Sequence, residues 1–283
     1  MSDDFEHHDI ELSDVRLHVV TRGAGDPMVL LHGWPETWFE WRTVMPVLAE
    51  RFHVIAPDMR GLGDSSKPAA GYDAQTVAGD IAELIAHLDV GPCHVVGHDW
   101  GGPVAFALAA WNPDLVRTLT IVDVGIPGIG PDFSQGGRRW HHQFHMTPDL
   151  PEILIAARAR DYYGWFYRTF GARPDAVDPA AVDEYLRTYA TPDGIRCGLA
   201  YYRTLPDDIA ANKAFAESGR LTMPVLALGG TGGRGRGMEV IEAMRTIADV
   251  VEGGVVEDCG HWMPEEQPDE LIARLTAFID AHG

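Results

Sequence analysis

Short apolar runs alternate with helical patterns at both ends of the chain, and this alternation limits the fold more than any other feature. Strand-like runs lie at residues 15–20, 28–31, 52–56, 93–96, 119–122, 224–228 and 250–256. Helical patterns lie at residues 40–49, 76–88, 103–111 and 268–281. Continuous apolar runs joined by helices are typical of parallel strands buried on both faces. The sequence therefore predicts an α/β fold with a mostly parallel, doubly wound sheet.

A long segment without strand patterns interrupts this alternation. It begins at about residue 132, ends at about residue 218, and is rich in aromatic residues, arginine and helix formers. The simplest arrangement is a sheet core made of residues 1–131 and 219–283. Residues 132–218 would then form a helical cap inserted between the two parts of the core.

Acidic residues dominate the charge of the chain. The 283 residues include 42 acidic and 22 basic ones, so the formal net charge is −20. Such a charge repels phosphate backbones and anionic lipid, and we expect neither nucleic acid nor a membrane as a partner. No membrane-spanning run or signal peptide is found, which predicts a soluble, cytoplasmic protein. The three cysteines, Cys93, Cys197 and Cys259, are far apart and predict neither a disulfide nor a zinc site.

An aspartate stands where a nucleophile elbow would place its reactive side chain. The segment Gly97-His98-Asp99-Trp100-Gly101 lies between an apolar run and a helical pattern, with small residues on either side of a central nucleophile. A carboxylate is already ionised at neutral pH, so it needs no base for its first attack and forms an ester. The other interpretation of Asp99 is a helix cap.

A histidine and a second acid complete the predicted catalytic group. His261 follows the last strand run and precedes the last helix, which suits a base that takes a proton from water. Asp123 follows the strand at residues 119–122 and would orient that imidazole, because the loop at residues 229–233 contains only glycine and threonine. Glu239 is the alternative acid.

Two backbone N–H groups are predicted to hold the negative oxygen of the second step. The segment His32-Gly33-Trp34-Pro35 follows the apolar run at residues 28–31, where a second oxyanion-hole donor is expected. The donors would be the N–H groups of Trp34 and Trp100. A plain turn is the alternative interpretation of the first segment.

Residues 32–35, 97–102 and 260–261 together resemble the epoxide hydrolase branch of the α/β hydrolases. The resemblance implies an α/β-hydrolase fold, a catalytic triad, and hydrolysis of an epoxide to a vicinal diol through an aspartyl ester. It implies no metal or organic cofactor. Related haloalkane dehalogenases usually have asparagine where this chain has Trp34.

The same resemblance implies donors to the epoxide oxygen in the cap, because an alkoxide leaves poorly without help. The family at large uses two tyrosines, whereas the Cif-type members use a histidine and a tyrosine. Residues 140–142 and 200–203 resemble the Cif-type pattern, with His141 and Tyr202 as the pair. Candidates to replace either member are Tyr162, Tyr163 and Tyr201.

The substrate predicted from these residues is a small apolar epoxide, with water as the second reactant. Fluoroacetate dehalogenases typically have arginine at the positions of Trp100 and Pro103, so a small carboxylate is not expected. Trp34, Trp100, Phe144 and Tyr202 would give an apolar lining. The runner-up function is a dehalogenase that uses the same aspartate, and the alternatives from other classes are a non-catalytic binding module and an esterase. A homodimer and a monomer are both compatible with the sequence.

Two polar loops receive no role in the predicted chemistry. Arg234-Gly235-Arg236 lies in a glycine-rich loop without the lysine and hydroxyl ending of a phosphate-binding loop, which predicts a flexible, solvated turn. Residues 58–65 are similar to a loop common across this fold, and we expect them to support the site structurally.

Overall fold

The computed structural model describes residues 5–283 and contains one eight-stranded sheet with helices around it. Residues 1–4 of the predicted core lie outside this range. The strands are β1 (Glu6–Glu11), β2 (Arg16–Arg22), β3 (Asp26–Leu31), β4 (Phe52–Pro57), β5 (Cys93–His98), β6 (Val116–Val122), β7 (Val225–Gly230) and β8 (Val251–Val256). Their spatial order is β1-β2-β4-β3-β5-β6-β7-β8. Strand β2 pairs antiparallel with β1 and β4, and all other pairs are parallel, which confirms the predicted α/β fold.

Helices connect the strands and form most of the middle of the chain. In the amino-terminal part they are α1 (Met45–Leu48), α2 (Ala74–Leu88) and α3 (Gly101–Trp111). Between β6 and β7 they are α4 (His141–Met146), α5 (Leu150–Ala156), α6 (Ala159–Phe170), α7 (Pro179–Tyr189), α8 (Pro192–Arg203) and α9 (Leu205–Ser218). The last are α10 (Glu239–Ile247), α11 (Met263–Glu266) and α12 (Pro268–His282). The predicted cap, residues 132–218, encloses α4 to α9, and its boundaries stay a prediction.

The central strands of the sheet are buried on both faces, and β3 shows how the sequence achieves this. Val29 and Leu31 belong to one apolar cluster, whereas Met28 and Leu30 belong to another on the opposite face. Successive side chains of a strand point to opposite faces, so an unbroken apolar run fills both clusters. The first cluster includes residues of α2, α3 and α10, and the second includes residues of α12. The reactive edge of the sheet therefore rests on a rigid frame.

Two elements differ from the sequence prediction. Strand β1 was not predicted, because it lies at the edge of the sheet with only Ile10 of its six residues buried and so lacks an apolar alternation. The predicted helix at residues 40–49 is wrong as a single helix. It is a 3-10 helix at Trp38–Thr43 followed by α1, because Pro46 has no N–H to continue an α-helical ladder.

Within the described residues, 5–283, no helix is both long and apolar enough to cross a membrane. The longest helices, α2 and α12, have 15 residues each. A bilayer-spanning helix needs about 20 apolar residues.

Candidate active site

The carboxyl ends of β5, β6 and β8 bring together the three residues predicted as nucleophile, orienting acid and base. His261 Nδ1 lies 2.7 Å from Asp123 Oδ2, and His261 Nε2 lies 3.2 Å from Asp99 Oδ2. Asp99 directly follows β5 and Asp123 directly follows β6, and these strands are neighbours in the sheet. Because parallel strands end at one edge, side chains from distant parts of the sequence meet there. One imidazole thus lies between two carboxylates.

The backbone turns so sharply at Asp99 that the residues two positions before and after it must be glycine. Asp99 has φ 45°, in the left-handed region that ordinary residues rarely adopt. A Cβ atom on Gly97 would lie 2.2 Å from the carbonyl oxygen of Gly101, and one on Gly101 would lie 2.1 Å from that of Leu31. The small residues are therefore required by the turn, which raises the Asp99 carboxylate above the end of β5.

The environment of Asp99 keeps its carboxyl group ionised. Burial opposes ionisation, but the hydrogen bond and charge of His261, the charge of His98 and the backbone N–H of Trp34 outweigh it. The pKa of Asp99 consequently lies well below its ordinary value. The N–H of Trp34 donates to Asp99 Oδ1 at 2.9 Å, so one predicted oxyanion donor already contacts a carboxylate oxygen. Trp100, the other predicted donor, is the N-cap residue of α3.

Asp123 is held by backbone donors on one oxygen and faces His261 with the other. Its Oδ1 accepts from the N–H groups of Gly230 at 2.9 Å and Arg236 at 2.8 Å, and the residue is fully buried. The glycine-rich loop after β7 therefore supplies donors rather than an acid. Glu239, the alternative acid, opens α10 and accepts a hydrogen bond from Gln135 Nε2 at 2.6 Å.

A small cavity lies above these residues, between the strand ends and the helices that follow β6. Its free volume is about 20 Å³, room for one or two water molecules. His141 and Tyr202 line it, as do Trp34 and Trp100, whereas Phe144 does not. The full lining is Trp34, Asp99, Trp100, Val124, Phe133, Arg139, His141, His142, Phe166, Phe170, Tyr202, Arg236, His261 and Trp262.

Both predicted cap donors have a proton to give at neutral pH. Burial, together with His142, His145 and Arg139, lowers the pKa of His141 well below its ordinary value, so the imidazole is neutral and carries one N–H. Burial also raises the pKa of Tyr202, which keeps its hydroxyl protonated. The two ring centroids are 5.7 Å apart.

The three alternative tyrosines are not among the residues that line the cavity. The Tyr201 hydroxyl donates to the carbonyl oxygen of Arg60 at 2.8 Å. Tyr162 Oη lies 2.6 Å from His145 Nε2, and Tyr163 packs against Trp34 with ring centroids 5.6 Å apart. This placement favours Tyr202 over the alternatives, and its role stays a prediction.

Comparison with known proteins places the chain in a family. Residues 26–268 match the family described as alpha/beta hydrolase fold. The chain belongs to the α/β hydrolases. This hydrolase is 43% identical to a soluble epoxide hydrolase of Corynebacterium sp. (strain C12), over 99% of each chain. It is 30% identical to a fluoroacetate dehalogenase of a Burkholderia species, over 99% of this chain and 95% of that protein.

A solved structure shows the same similarity in three dimensions. The structure of epoxide hydrolase CorEH without ligand superimposes on this hydrolase with a TM-score of 0.92 and 40% identity, covering 98% of this chain and 99% of that one. The resemblance found in the motifs therefore extends over nearly the whole fold.

Two buried arginines that the sequence did not suggest also face the cavity of this hydrolase. Arg139 precedes α4 and Arg236 lies in the loop after β7, and their exposed fractions are 3% and 6%. The predicted flexible, solvated turn at residues 234–236 is thus wrong for Arg236. Its guanidinium turns inward, donates to the carbonyl oxygen of Phe133 at 2.9 Å, and lies over the Phe133 ring.

A buried acid pair beneath the nucleophile was missed as well. Glu36 and Glu40 are fully buried, and burial raises the pKa of both carboxyl groups well above the ordinary value. His98 Nδ1 lies 3.1 Å from Glu40 Oε2, and His98 Nε2 donates to the carbonyl oxygen of His261 at 2.8 Å. Two acids four residues apart are typical of a solvated helix face, so their spacing does not indicate burial.

Among residues 5–283, two groups place potential ligand atoms within 4.8 Å of one another, the spacing that a cation needs. One is Glu36, Glu40 and His98, and the other is His18, Asp58 and Asp64. In the second group the Asp58 carboxylate already accepts from the backbone N–H groups of Trp38 and Asp64, each at 2.9 Å. These bonds agree with a structural role for the loop at residues 58–65. Neither group lines the cavity.

Proposed function

We propose that this hydrolase opens an apolar epoxide through an ester on Asp99 and releases a vicinal diol. The observation that carries the proposal is the imidazole of His261, which lies between Asp99 and Asp123 and faces a cavity lined by His141 and Tyr202. The 43% identity to a soluble epoxide hydrolase supports the same reaction.

In the first step, the ionised carboxylate of Asp99 attacks a carbon of the epoxide ring. A carbon–oxygen ester bond forms and the ring carbon–oxygen bond breaks, which leaves negative charge on the epoxide oxygen. The hydroxyl of Tyr202 and the N–H of neutral His141 line the same cavity and donate to that oxygen. General acid assistance of this kind typically accelerates a reaction by about 10²–10⁴-fold.

In the second step, His261 Nε2 takes a proton from water, and the hydroxide attacks the carboxyl carbon of the ester. Asp123 stabilises the imidazolium through the contact at Nδ1. The backbone N–H of Trp34 contacts Asp99 Oδ1 and holds the negative charge that forms there, with the N–H of Trp100 as the second donor. Collapse of this intermediate breaks the acyl carbon–oxygen bond, and the imidazolium of His261 gives its proton to the leaving alkoxide. The proton left on the Asp99 carboxyl group returns to the donor that protonated the epoxide oxygen, so the diol is released and the site is restored. These steps use no metal or organic cofactor.

A dehalogenase is the second candidate, because the same carboxylate displaces a halide from carbon by the same attack. The 30% identity to a fluoroacetate dehalogenase favours keeping it in the test. An esterase is disfavoured, since a carboxylate attacking an ester forms a reactive anhydride. A non-catalytic binding module has no use for an ionised nucleophile in contact with a base. A homodimer and a cytoplasmic location stay predictions, which sedimentation and cell fractionation test.

The deciding experiment offers styrene oxide and bromobutane to the purified protein, with Asp99→Ala as the blank. Diol from styrene oxide that is absent with the blank supports the proposal, whereas bromide release alone supports the dehalogenase. A His261→Gln variant is expected to stop after the first step. Mass spectrometry should then find the substrate attached to the peptide that contains Asp99, and a substrate adduct on any other residue overturns the mechanism.

A further inference from the structure

The cavity above Asp99 contains two positive charges that the proposed reaction does not use. The guanidinium groups of Arg139 and Arg236 line the same cavity as the nucleophile and the cap pair, and each residue is more than nine-tenths buried. Both come from chain segments outside the nucleophile elbow. A positive charge in a closed space costs free energy unless a negative charge accompanies it.

Neither guanidinium has a carboxylate in hydrogen-bond contact among residues 5–283. Arg139 donates through Nε to the side-chain oxygen of Gln135 at 2.9 Å and through Nη2 to the carbonyl oxygen of Arg234 at 2.6 Å. Its Nη1 makes no hydrogen bond in this part of the chain. The carboxylate nearest to the Arg236 guanidinium is that of Glu239, at 3.7 Å from Nη1. The acceptors of both arginines are therefore neutral.

The acids of the reaction centre are already engaged elsewhere. Asp99 accepts from the N–H of Trp34 on one oxygen and contacts His261 with the other. Asp123 accepts from two backbone N–H groups on Oδ1 and contacts His261 through Oδ2. They lower the electrostatic cost of the two cations from a distance but occupy none of the guanidinium donors.

The electrostatic cost of burying the two guanidinium groups lowers the pKa of both arginines. Burial lowers the pKa of Arg236 to about 9, and it also lowers the pKa of Arg139. Phe170 under Arg139, at 5.1 Å from the ring centroid, and Phe133 under Arg236, at 4.9 Å, offset part of the lost hydration. Each guanidinium is held in place by an aromatic ring and carbonyl oxygens, and among residues 5–283 neither is hydrogen-bonded to a carboxylate, although Glu239 lies 3.7 Å from Arg236 Nη1.

We propose that Arg139, with Arg236 beside the same cavity, binds a carboxylate carried by the epoxide substrate. The inference rests on the proposed function and narrows its substrate class from an apolar epoxide to an epoxide with an apolar body and an anionic end. A guanidinium suits this task because it donates several N–H groups in one plane to a carboxylate. A small carboxylate is not expected from the sequence because positions 100 and 103 are not arginine. In the folded chain, however, arginines from other segments line the cavity.

The test compares three epoxides: phenylglycidate, its neutral analogue phenylglycidol, and styrene oxide. Wild-type protein is expected to prefer phenylglycidate in kcat/KM by at least about 10-fold. In Arg139→Gln this preference should fall by roughly 10–100-fold, mainly through KM, because a charged hydrogen bond is lost. Turnover of styrene oxide, which has no carboxylate, should fall by a smaller factor than turnover of phenylglycidate, and Arg139→Lys should recover part of the preference.

Arg138→Gln is the matched control, because Arg138 is adjacent and exposed and does not line the cavity. It should leave turnover of all three epoxides unchanged. If Arg139→Gln does not fold, as judged by circular dichroism, Arg236→Gln replaces it with the same expected loss of preference. A wild type without preference for the carboxylate, or a variant that loses all three activities equally, overturns the proposal.

Titration with phenylacetate separates this inference from the proposed function. If wild-type protein hydrolyses none of the epoxides, the function fails while the anion site is decided by binding alone. Phenylacetate that binds wild type at least about 10-fold more tightly than Arg139→Gln supports the anion site. Equal binding, or none, overturns it.

Discussion

The two walls of the cavity, one from the strand ends and one from the helices after β6, differ in how their polar groups are satisfied. On the strand side, Asp99, Asp123 and His261 contact one another and backbone donors at 2.7–3.2 Å. On the helical side, the Nδ1 atoms of His141 and His142 are buried without a hydrogen-bond partner among residues 5–283. The three charged side chains of the first wall are paired with one another, whereas the second wall keeps ring nitrogens without a partner in the described chain.

This difference separates chemistry from recognition. Side chains at the ends of strands inherit the rigidity of the sheet, so distances between reacting atoms are fixed before any substrate arrives. The helical wall is built largely from aromatic rings packed edge to face, and the Nδ1 atoms of His141 and His142 have no hydrogen-bond partner within residues 5–283. Substitutions on the strand side should therefore abolish individual steps of the reaction. Substitutions on the helical side should instead change the rate of the enzyme and its preference among substrates.

The sharpest way to break the strand side is Asp99→Ala. Because the first covalent bond cannot form, we expect kcat for styrene oxide to fall by at least about 10⁴-fold. The melting temperature should fall little. The left-handed backbone at this residue, with φ 45°, is already unfavourable for aspartate, and the change to alanine removes no packing contact of the core. Chromatographic measurement of the diol decides the matter, and residual activity above about 1% of wild type would mean that another group is the nucleophile.

Asp123→Asn should break only the second step. The amide oxygen should stay on the N–H groups of Gly230 and Arg236, which leaves the amide NH2, a donor, facing His261 Nδ1. We therefore expect ester hydrolysis to slow by roughly 10³-fold. Styrene oxide should disappear in a rapid burst while the ester accumulates on Asp99. Glu239→Gln is the control, and its turnover should stay within about 2-fold of wild type. The reverse pattern between these two variants contradicts the assignment of Asp123.

Tyr202→Phe tests the helical side with a smaller expected effect. Removal of one of two donors to the epoxide oxygen should slow ring opening by roughly 10–100-fold, with ester hydrolysis unchanged. Rapid mixing with tryptophan fluorescence resolves the two steps. Tyr201→Phe is the matched control, because its hydroxyl bonds a carbonyl oxygen away from the cavity and should affect stability alone. Equal effects of the two variants on ring opening would remove Tyr202 from the mechanism.

Asp208 in α9 tests whether a charge is tolerated where the helical segment packs on the core. Its Oδ1 accepts from the N–H of Ala74, its Oδ2 has no partner in the described chain, and burial raises its pKa to about 7. Below about pH 4 the carboxyl is protonated in both states. As pH rises to 7 the unfolded chain ionises first, so the folded state loses stability, and the full loss is present above pH 7.

Asp208→Asn should remove this pH dependence while keeping the bond to Ala74. We expect the variant to gain about 3 kcal/mol relative to wild type between pH 4.5 and pH 8, because about 2.5 pH units separate pH 4.5 from the folded pKa of about 7. The cost of the buried amide left without an acceptor is the same at both pH values and cancels from this comparison. Urea unfolding at both pH values measures the difference in the free energy of unfolding. A difference that is the same at both values would show that the carboxyl of Asp208 titrates normally.

The sequence allowed prediction of the features that depend on local pattern. The apolar runs predicted β3 to β8 because the strands of a largely buried parallel sheet are rich in apolar residues. The nucleophile elbow could be predicted because Gly97 and Gly101 lie two residues from Asp99 in the chain. His261 could be predicted because it lies between a strand pattern and a helical pattern. Asp123 was reached through sheet adjacency, and the structure places it 2.7 Å from His261.

The features that sequence reasoning missed depend on distant contacts. Arg139 and Arg236 looked like surface residues, since arginine is rarely buried and no local pattern tells which way it points. The acid pair Glu36 and Glu40 has the spacing of a solvated helix face and is fully buried. The burial of these four side chains depends on separate chain segments that enclose them.

The small volume of the cavity affects which step limits the rate of turnover. A free volume of about 20 Å³ accommodates a water molecule and excludes an aromatic epoxide. We therefore expect the aromatic wall to open when an aromatic epoxide enters and when its diol leaves. We expect higher solvent viscosity to slow the turnover of bulky substrates more than that of small ones. For bulky substrates, passage through the aromatic wall limits the rate, rather than bond formation.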